Sequence, residues 1–114
     1  MRKLKRDRRR LAVLAVAAVV LAFSAVSAFA SPSRSVRIGD DYFSATRLTV
    51  GRGTKVTWNW TGVLRHNVTV MSGPSRFHSR TQVRGTFDHT FSRAGTYHLE
   101  CTIHPFMTMT VVVK

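Results

Sequence analysis

Cysteine and acidic residues are scarce in this chain. Cys101 is the single cysteine, and five aspartates and glutamates stand against eighteen lysines and arginines. One cysteine excludes an internal disulfide, so its thiol is a reactive group, half of an intermolecular bridge or a metal ligand. Beyond residues 1–10 the basic residues form no continuous stripe, so we expect no nucleic acid among the partners. No nucleophile is paired with a base, so we expect no enzyme activity.

The first thirty residues have the pattern of a secretory signal peptide. Residues 1–10 carry seven basic residues and one acid, and residues 11–23 are all apolar. Ala28-Phe29-Ala30 places small residues at the two positions that a signal peptidase recognises. We therefore predict a signal peptide at 1–30 and a single domain at 31–114. A retained membrane anchor is the alternative, although thirteen strictly apolar residues are few for a spanning helix. General secretion and twin-arginine export are both compatible with the leader.

The charge of the mature chain favours an acidic partner. Without residues 1–30, eleven basic and four acidic residues remain, which gives a net charge of +7. Such a charge steers association toward an acidic docking surface. We expect an exported monomer, in a periplasm, at the cell envelope or outside the cell, with no stable membrane insertion once the leader is removed.

Alternating apolar and polar residues predict an all-β domain. In residues 55–60, Val56, Trp58 and Trp60 share one face, which is typical of a half-buried strand in an antiparallel sheet. About seven such strands, separated by turns, predict a Greek-key β-sandwich or barrel. The other predicted strands lie at residues 36–38, 43–50, 68–70, 87–91, 97–101 and 108–113, with a turn at 51–53 and an irregular surface loop at 72–85.

Residues 101–107, Cys-Thr-Ile-His-Pro-Phe-Met, place a thiol, an imidazole and a thioether within seven positions. A second imidazole, His66, lies 35 positions before Cys101. Two histidines, one cysteine and a weak axial methionine are the ligand set of a blue copper site. Zinc is the alternative metal, but a thioether is a poor zinc ligand and structural zinc sites favour more thiolates. We therefore predict one copper ion per chain.

Short motifs support a family resemblance over residues 43–113. They are Phe43, Leu48-Thr49-Val50, Gly53, Val56-Thr57-Trp58, His66-Asn67-Val68, Phe91, Gly95-Thr96-Tyr97, Cys101, His104-Pro105-Phe106-Met107 and Val111-Val112-Val113. With them the chain resembles a cupredoxin of the plastocyanin type, and its Cys-x-x-His-x-x-Met loop is similar to that of amicyanin. The resemblance implies a copper site of His66, Cys101, His104 and Met107, in which Asn67 joins the two ligand-bearing segments by hydrogen bonds. Ala45 and Ile103 depart from it, because the family often has proline there.

The resemblance implies a carrier of single electrons between redox proteins. In cupredoxins the histidine of the loop lies nearest to solvent in an apolar patch, which implicates His104, beside Pro105 and Phe106, as the electron port. We therefore expect Cys101 to be buried and His104 to reach the surface. A copper-binding module for copper buffering, delivery or sensing is the alternative function, and an interaction domain without a metal is a third.

A second methionine leaves the axial ligand open. A Cys-x-x-His-x-x-x-x-Met spacing, as in plastocyanin, selects Met109. Counting back from residues 111–113 favours Met107, because amicyanin-like chains place their methionine four residues before that run. Of the other histidines, His89 is expected to be partly buried and structural, and His98 to be solvated.

Overall fold

The segments of alternating residues form strands. This structure is a computed structural model that describes residues 31–114, and the predicted signal peptide lies outside the described residues. Residues 31–114 contain no helix that could span a membrane. They form eight strands: β1 Ser33–Gly39, β2 Tyr42–Phe43, β3 Arg47–Val50, β4 Thr54–Trp60, β5 Thr69–Ser72, β6 Gly85–Phe91, β7 Gly95–Cys101 and β8 His104–Val113.

The strands form two four-stranded sheets around one core. One sheet has the order β2-β1-β4-β6 and the other has the order β3-β8-β7-β5. β1 runs parallel to β4 and β3 runs parallel to β8, whereas the other neighbours are antiparallel. The predicted all-β sandwich is therefore confirmed, with one strand more than the sequence pattern indicated.

Two details of the predicted strands are wrong. Residues 43–50 do not form one strand, because β2 pairs with β1 and β3 pairs with β8 in the other sheet. The chain changes sheets between them, which lets Phe43 and Val50 both enter the core. β4 is antiparallel to β6 but parallel to β1. Alternation of residue types reports which faces are buried and carries no information on the direction of a neighbouring strand.

Trp58 lies in the middle of the core. It is fully buried, its ring centroid lies 6.4 Å from that of Phe91, and Phe91 makes an edge contact with Tyr97 at 5.0 Å. Each aromatic pair of this kind adds about 0.5–1.5 kcal/mol beyond the burial of its area. The predicted inward face of β4, with Val56, Trp58 and Trp60, is confirmed as buried.

The turn between β3 and β4 depends on Gly53. Its φ of 86° lies in the left-handed region, which other residues adopt only with strain. The Gly53 N–H donates a hydrogen bond of 2.7 Å to the carbonyl of Phe91 and so fixes the turn against β6. The turn predicted at residues 51–53 is therefore confirmed.

The two segments that carry the candidate ligands meet at one end of the second sheet. β7 lies between β5 and β8, and Thr69 of β5 pairs with Glu100 of β7. The residues just before β5 therefore run beside the last residues of β7. A short turn then leads from β7 into β8, where Cys101 is the pairing partner of His104. This arrangement brings His66 beside Cys101, as the predicted copper site requires.

Candidate metal centre

His66, Cys101 and His104 converge on one point. The Nδ1 atoms of the two histidines lie 3.1 Å apart. The Cys101 Sγ atom lies 4.0 Å from Nδ1 of His66 and 3.6 Å from Nδ1 of His104. Three of the four predicted site residues are therefore grouped so that each can offer one donor atom to the same ion.

The size and the chemistry of this group fit a metal. The three distances define a triangle whose centre lies about 2.1 Å from each donor atom, which matches metal bonds to imidazole nitrogen and is slightly shorter than the roughly 2.3 Å of metal bonds to thiolate sulfur. Two imidazole nitrogens and one thiolate in a trigonal arrangement are the set that blue copper sites use. The donor set therefore suits copper.

Asn67 joins the two ligand-bearing segments. Its side-chain Nδ2 donates to Thr102 Oγ1 at 2.8 Å, and its Oδ1 accepts a hydrogen bond of 3.1 Å from the Thr102 N–H. The backbone N–H of Asn67 also points at Cys101 Sγ, at 3.4 Å. The hydrogen-bonding role that the resemblance implied for Asn67 is confirmed, and it holds the thiol close to His66.

His66 is fixed by its backbone as well as by its ring. The Trp60 Nε1–H donates to the His66 carbonyl at 3.1 Å, and His66 exchanges two backbone hydrogen bonds of 3.0 Å with Gln82. Thr81, next to Gln82, accepts a hydrogen bond from Asn67 Nδ2. Sequence reasoning missed this support, because residues 72–85 show no periodic pattern that predicts pairing with the His66 segment.

Two consecutive aspartates face the outer nitrogen atoms of the histidines. Asp40 Oδ1 lies 3.3 Å from His66 Nε2, and Asp41 Oδ1 lies 3.6 Å from His104 Nε2. The backbone N–H of Leu64 lowers the pKa of the Asp40 carboxyl below its ordinary value, with further lowering by His66 and by the N–H of Val63. Asp40 and Asp41 were not predicted as site residues, because nothing in the local sequence pattern shows which side chains they meet.

Met107 and Met109 are both buried on the same side of β8. Met109 pairs with Leu99, two residues before Cys101, and its Sδ atom lies 3.4 Å from Trp58 Nε1. Met107 lies closer along the strand to the point where His104 pairs with Cys101. A register irregularity at Glu100 and Cys101 occurs at this end of β7.

The burial of the site matches the expectation for an electron port. Cys101 and His66 are fully buried, whereas the His104 side chain is 30% exposed. Phe106 is 95% exposed and Ile103 is also exposed, so the residues on either side of His104 present apolar side chains to solvent. The prediction that Cys101 is buried while His104 reaches the surface is therefore confirmed.

The other histidines of the described chain do not join the group. His89 is half-buried and stacks on Phe77 with ring centroids 3.7 Å apart, and burial lowers the pKa of His89 despite the nearby Asp88. His98 is exposed beside Thr110. The structural role predicted for His89 and the solvated position of His98 are confirmed.

Comparison with known proteins identifies the family. The model of copper binding proteins of the plastocyanin/azurin family matches residues 31–114. Amicyanin-alpha of Methylorubrum extorquens is 35% identical over 119 aligned residues, which cover 89% of this chain and 98% of the relative. This likeness extends over nearly the whole of both proteins.

Solved structures agree with this finding. An amicyanin variant in its reduced Cu(I) form at pH 4 aligns with a TM-score of 0.66 and 31% identity, over 75% of this chain and 86% of that chain. A copper-containing nitrite reductase from Thermus scotoductus SA-01 aligns with a TM-score of 0.67 and 24% identity, over 79% of this chain but only 24% of the enzyme. That second likeness shows the fold alone. With copper as its metal, the chain is a cupredoxin similar to amicyanin and belongs to the plastocyanin/azurin family of copper-binding proteins.

Proposed function

We propose that the protein is a small exported type 1 copper protein that carries single electrons between redox partners. The observation that carries this proposal is the convergence of His66 Nδ1, His104 Nδ1 and a fully buried Cys101 Sγ beneath a partly exposed His104. Copper in such a site supplies a reversible change between Cu(II) and Cu(I). The chain supplies a fixed set of donor atoms and one route to the surface.

Four residues hold the ion in this proposal. His66, Cys101 and His104 would provide two imidazole nitrogens and a thiolate, and Met107 would provide a thioether. Their positions are set by paired strands and by the hydrogen bonds of Asn67, so the donor atoms have little freedom to rearrange. A fixed geometry suits electron transfer, because Cu(I) and Cu(II) favour different arrangements and each rearrangement slows the reaction.

The same ligand set argues against catalysis. Catalytic metal sites keep a position open for water or substrate, whereas the four proposed protein ligands would leave none open. His66 and Cys101 are also closed to solvent. The site is therefore suited to exchange of electrons and unsuited to binding a substrate.

An apolar surface around His104 forms the docking site for partners. Ile103 lies in the turn just before His104, Phe106 lies two residues after His104 in β8, and both are exposed. Val63 and Leu64 are exposed and lie close to the metal centre, because their backbone N–H groups bind Asp40 beside His66. A small apolar patch suits the brief encounters and modest buried areas of electron-transfer complexes.

Basic residues flank this patch and favour an acidic partner. Arg65 precedes His66, and Arg80 and Arg84 lie on either side of Gln82, which pairs with His66. Together with the net charge of the mature chain, they accelerate and orient association with an acidic docking surface, and the effect weakens as salt screens the charges. The predicted signal peptide supports an exchange outside the cytoplasm.

The alternative function, copper buffering, delivery or sensing, predicts a different behaviour. Delivery requires the ion to leave quickly, whereas the buried thiol and the enclosed His66 slow its release. Voltammetry of the copper-loaded protein and NMR line broadening in mixtures of its oxidised and reduced forms separate the two functions. We expect one reversible one-electron couple, and a self-exchange rate that rises with salt because two positively charged copies repel each other. Loss of copper on reduction, or its rapid transfer to an added chelator, contradicts the carrier and supports the alternative.

A further inference from the structure

We propose that Asp40 is a positioning residue for the metal centre: its carboxylate accepts a hydrogen bond from Nε2–H of His66, fixes the ring, and favours Cu(II) over Cu(I). This inference rests on the proposed copper site. It adds a residue outside the ligand set that adjusts the reduction potential of the ion.

The orientation of His66 supports the hydrogen bond. Its Nδ1 atom faces Cys101 and His104, and its Nε2 atom lies 3.3 Å from Asp40 Oδ1. When Nδ1 binds a metal, the proton of the neutral imidazole is carried by Nε2, and a carboxylate there fixes both the tautomer and the ring. The His66 side chain is fully buried, so within residues 31–114 Asp40 is the side chain that Nε2 meets.

Asp40 does not depend on His66 for its own position. Its Oδ1 accepts hydrogen bonds from the N–H groups of Val63 and Leu64, at 3.0 and 2.9 Å, and its Oδ2 lies 3.2 Å from the Val63 N–H. Two backbone donors therefore hold the carboxylate in place before a metal binds. Because the carboxylate is already oriented, little side-chain entropy is lost when it accepts the proton of His66.

Gly62 makes room for this arrangement. A Cβ atom at residue 62 would lie 2.2 Å from Asp40 Oδ1 and 3.0 Å from the Asp40 backbone nitrogen. Any side chain at this position would displace the carboxylate that receives the His66 proton. Gly62 thus lets the loop before His66 pack closely against Asp40 in the turn between β1 and β2.

Asp41 provides a comparison within the same turn. Its carboxylate lies 3.6 Å from Nε2 of His104, but the Asp41 side chain is 66% exposed whereas that of Asp40 is 34% exposed. Solvent screens an exposed charge more strongly than a partly enclosed one. The negative charge of Asp40 therefore stabilises the more positive Cu(II) state more than that of Asp41 does.

The test compares the reduction potentials of Asp40→Asn and Asp41→Asn in the copper-loaded protein. A residue that supports a ligand commonly changes metal affinity by about 10-fold or more. We expect Asp40→Asn to keep the blue absorption band and to shift the Cu(II)/Cu(I) equilibrium about tenfold toward Cu(I), which is a rise of about 59 mV for a one-electron couple. Asp41→Asn is expected to shift the equilibrium by less than about twofold.

Two further readouts complete the test. Gly62→Ala, which displaces the carboxylate and leaves its charge in the chain, is expected to shift the potential in the same direction, and it replaces Asp40→Asn if that variant does not fold. In Cu(I)-loaded protein, the Nε2–H proton of His66 is expected to exchange slowly with solvent in the wild type and faster in Asp40→Asn.

The outcomes separate this inference from the proposed function. If the wild-type protein is blue and Asp40→Asn changes the reduction potential no more than Asp41→Asn does, the role of Asp40 is overturned and the proposed electron carrier is unaffected. A wild-type protein that shows no blue band overturns the proposed function and this inference with it.

Discussion

The Nε1 atom of Trp58 lies 3.4 Å from the Sδ atom of Met109 in the buried core. This contact gives the sulfur of Met109 a partner on the opposite sheet. Met107, also buried, is nearer along β8 to His104 and has no such contact with Trp58. We therefore propose Met107 as the axial ligand and a packing role for Met109.

Leucine substitutions distinguish the two methionines. Met107→Leu is expected to keep a thiolate-to-copper band of altered energy and to raise the reduction potential, because the axial donor that tunes it is gone. Met109→Leu is expected to leave the band and the potential unchanged and to lower the free energy of unfolding by about 1 kcal/mol, since the buried Trp58 N–H loses its acceptor. Spectra, voltammetry and denaturant unfolding of both variants measure these effects, and the reverse pattern would assign the axial position to Met109.

Asn67→Ala removes the side chain that joins the two ligand-bearing segments. The Thr102 N–H loses its acceptor, so we expect the free energy of unfolding of the copper-loaded protein to fall by about 1–3 kcal/mol. Asn59→Ala, at an exposed position on β4, is the matched control and is expected to stay within about 0.5 kcal/mol of the wild type. Equal effects of the two changes would show that Asn67 does not hold the site together.

His89 makes the stability of the domain depend on pH. Burial lowers the pKa of His89 in the folded chain below 6.5, so the unfolded chain takes up the proton first as the pH falls. The free energy of unfolding is therefore expected to be fully maintained above pH 6.5 and to decrease as the pH falls from there through the folded pKa. His89→Phe keeps a ring stacked on Phe77 and removes the titrating group. The free energy of unfolding of this variant is therefore expected to lack the decrease below pH 6.5 that His89 causes. Denaturant unfolding of both proteins across this range gives the difference, and parallel curves would contradict the assignment.

Phe106→Ser tests the docking patch without touching a ligand. Phe106 is 95% exposed, so we expect stability to change by less than about 0.5 kcal/mol. Removal of the phenyl ring is expected to weaken the apolar contact between two copies in the encounter complex by about 1.4 kcal/mol. Self-exchange of electrons is therefore expected to be roughly tenfold slower in Phe106→Ser. Met71→Ser, an exposed residue on β5 away from the Cys101 end of the sheet, is the control and is expected to leave the rate unchanged. A similar rate loss in both variants would place the contact elsewhere.

Periodicity and ligand spacing predicted most of this molecule. The alternation of Val56, Trp58 and Trp60 identified a buried face, and residues 101–107 together with His66 identified a metal site that the folded chain brings to one point. The buried face follows from the alternation of side chains across a strand, and the nearness of Cys101 and His104 follows from their spacing of three positions. His66 lies 35 positions before Cys101 and was identified because it completes the ligand set of a copper site.

The supporting residues could not be predicted in the same way. Asp40 contacts His66 across 26 positions and Gln82 pairs with His66 across an irregular loop, and neither contact leaves a periodic signal. Such contacts depend on how turns from different sheets meet. The division of residues 43–50 between two sheets was missed for the same reason, since the local pattern is that of one strand.

The visible absorption spectrum of the Cu(II)-loaded protein, measured beside that of Cys101→Ser, tests the central claim most directly. The Cys101 sulfur is the donor that gives a blue copper site its intense charge-transfer band, whereas serine offers only an oxygen. We predict an intense blue band in the wild type that is absent in the variant. A pale wild-type solution with weak bands, or a band that survives in Cys101→Ser, would show that the thiolate does not bind copper and would contradict the account.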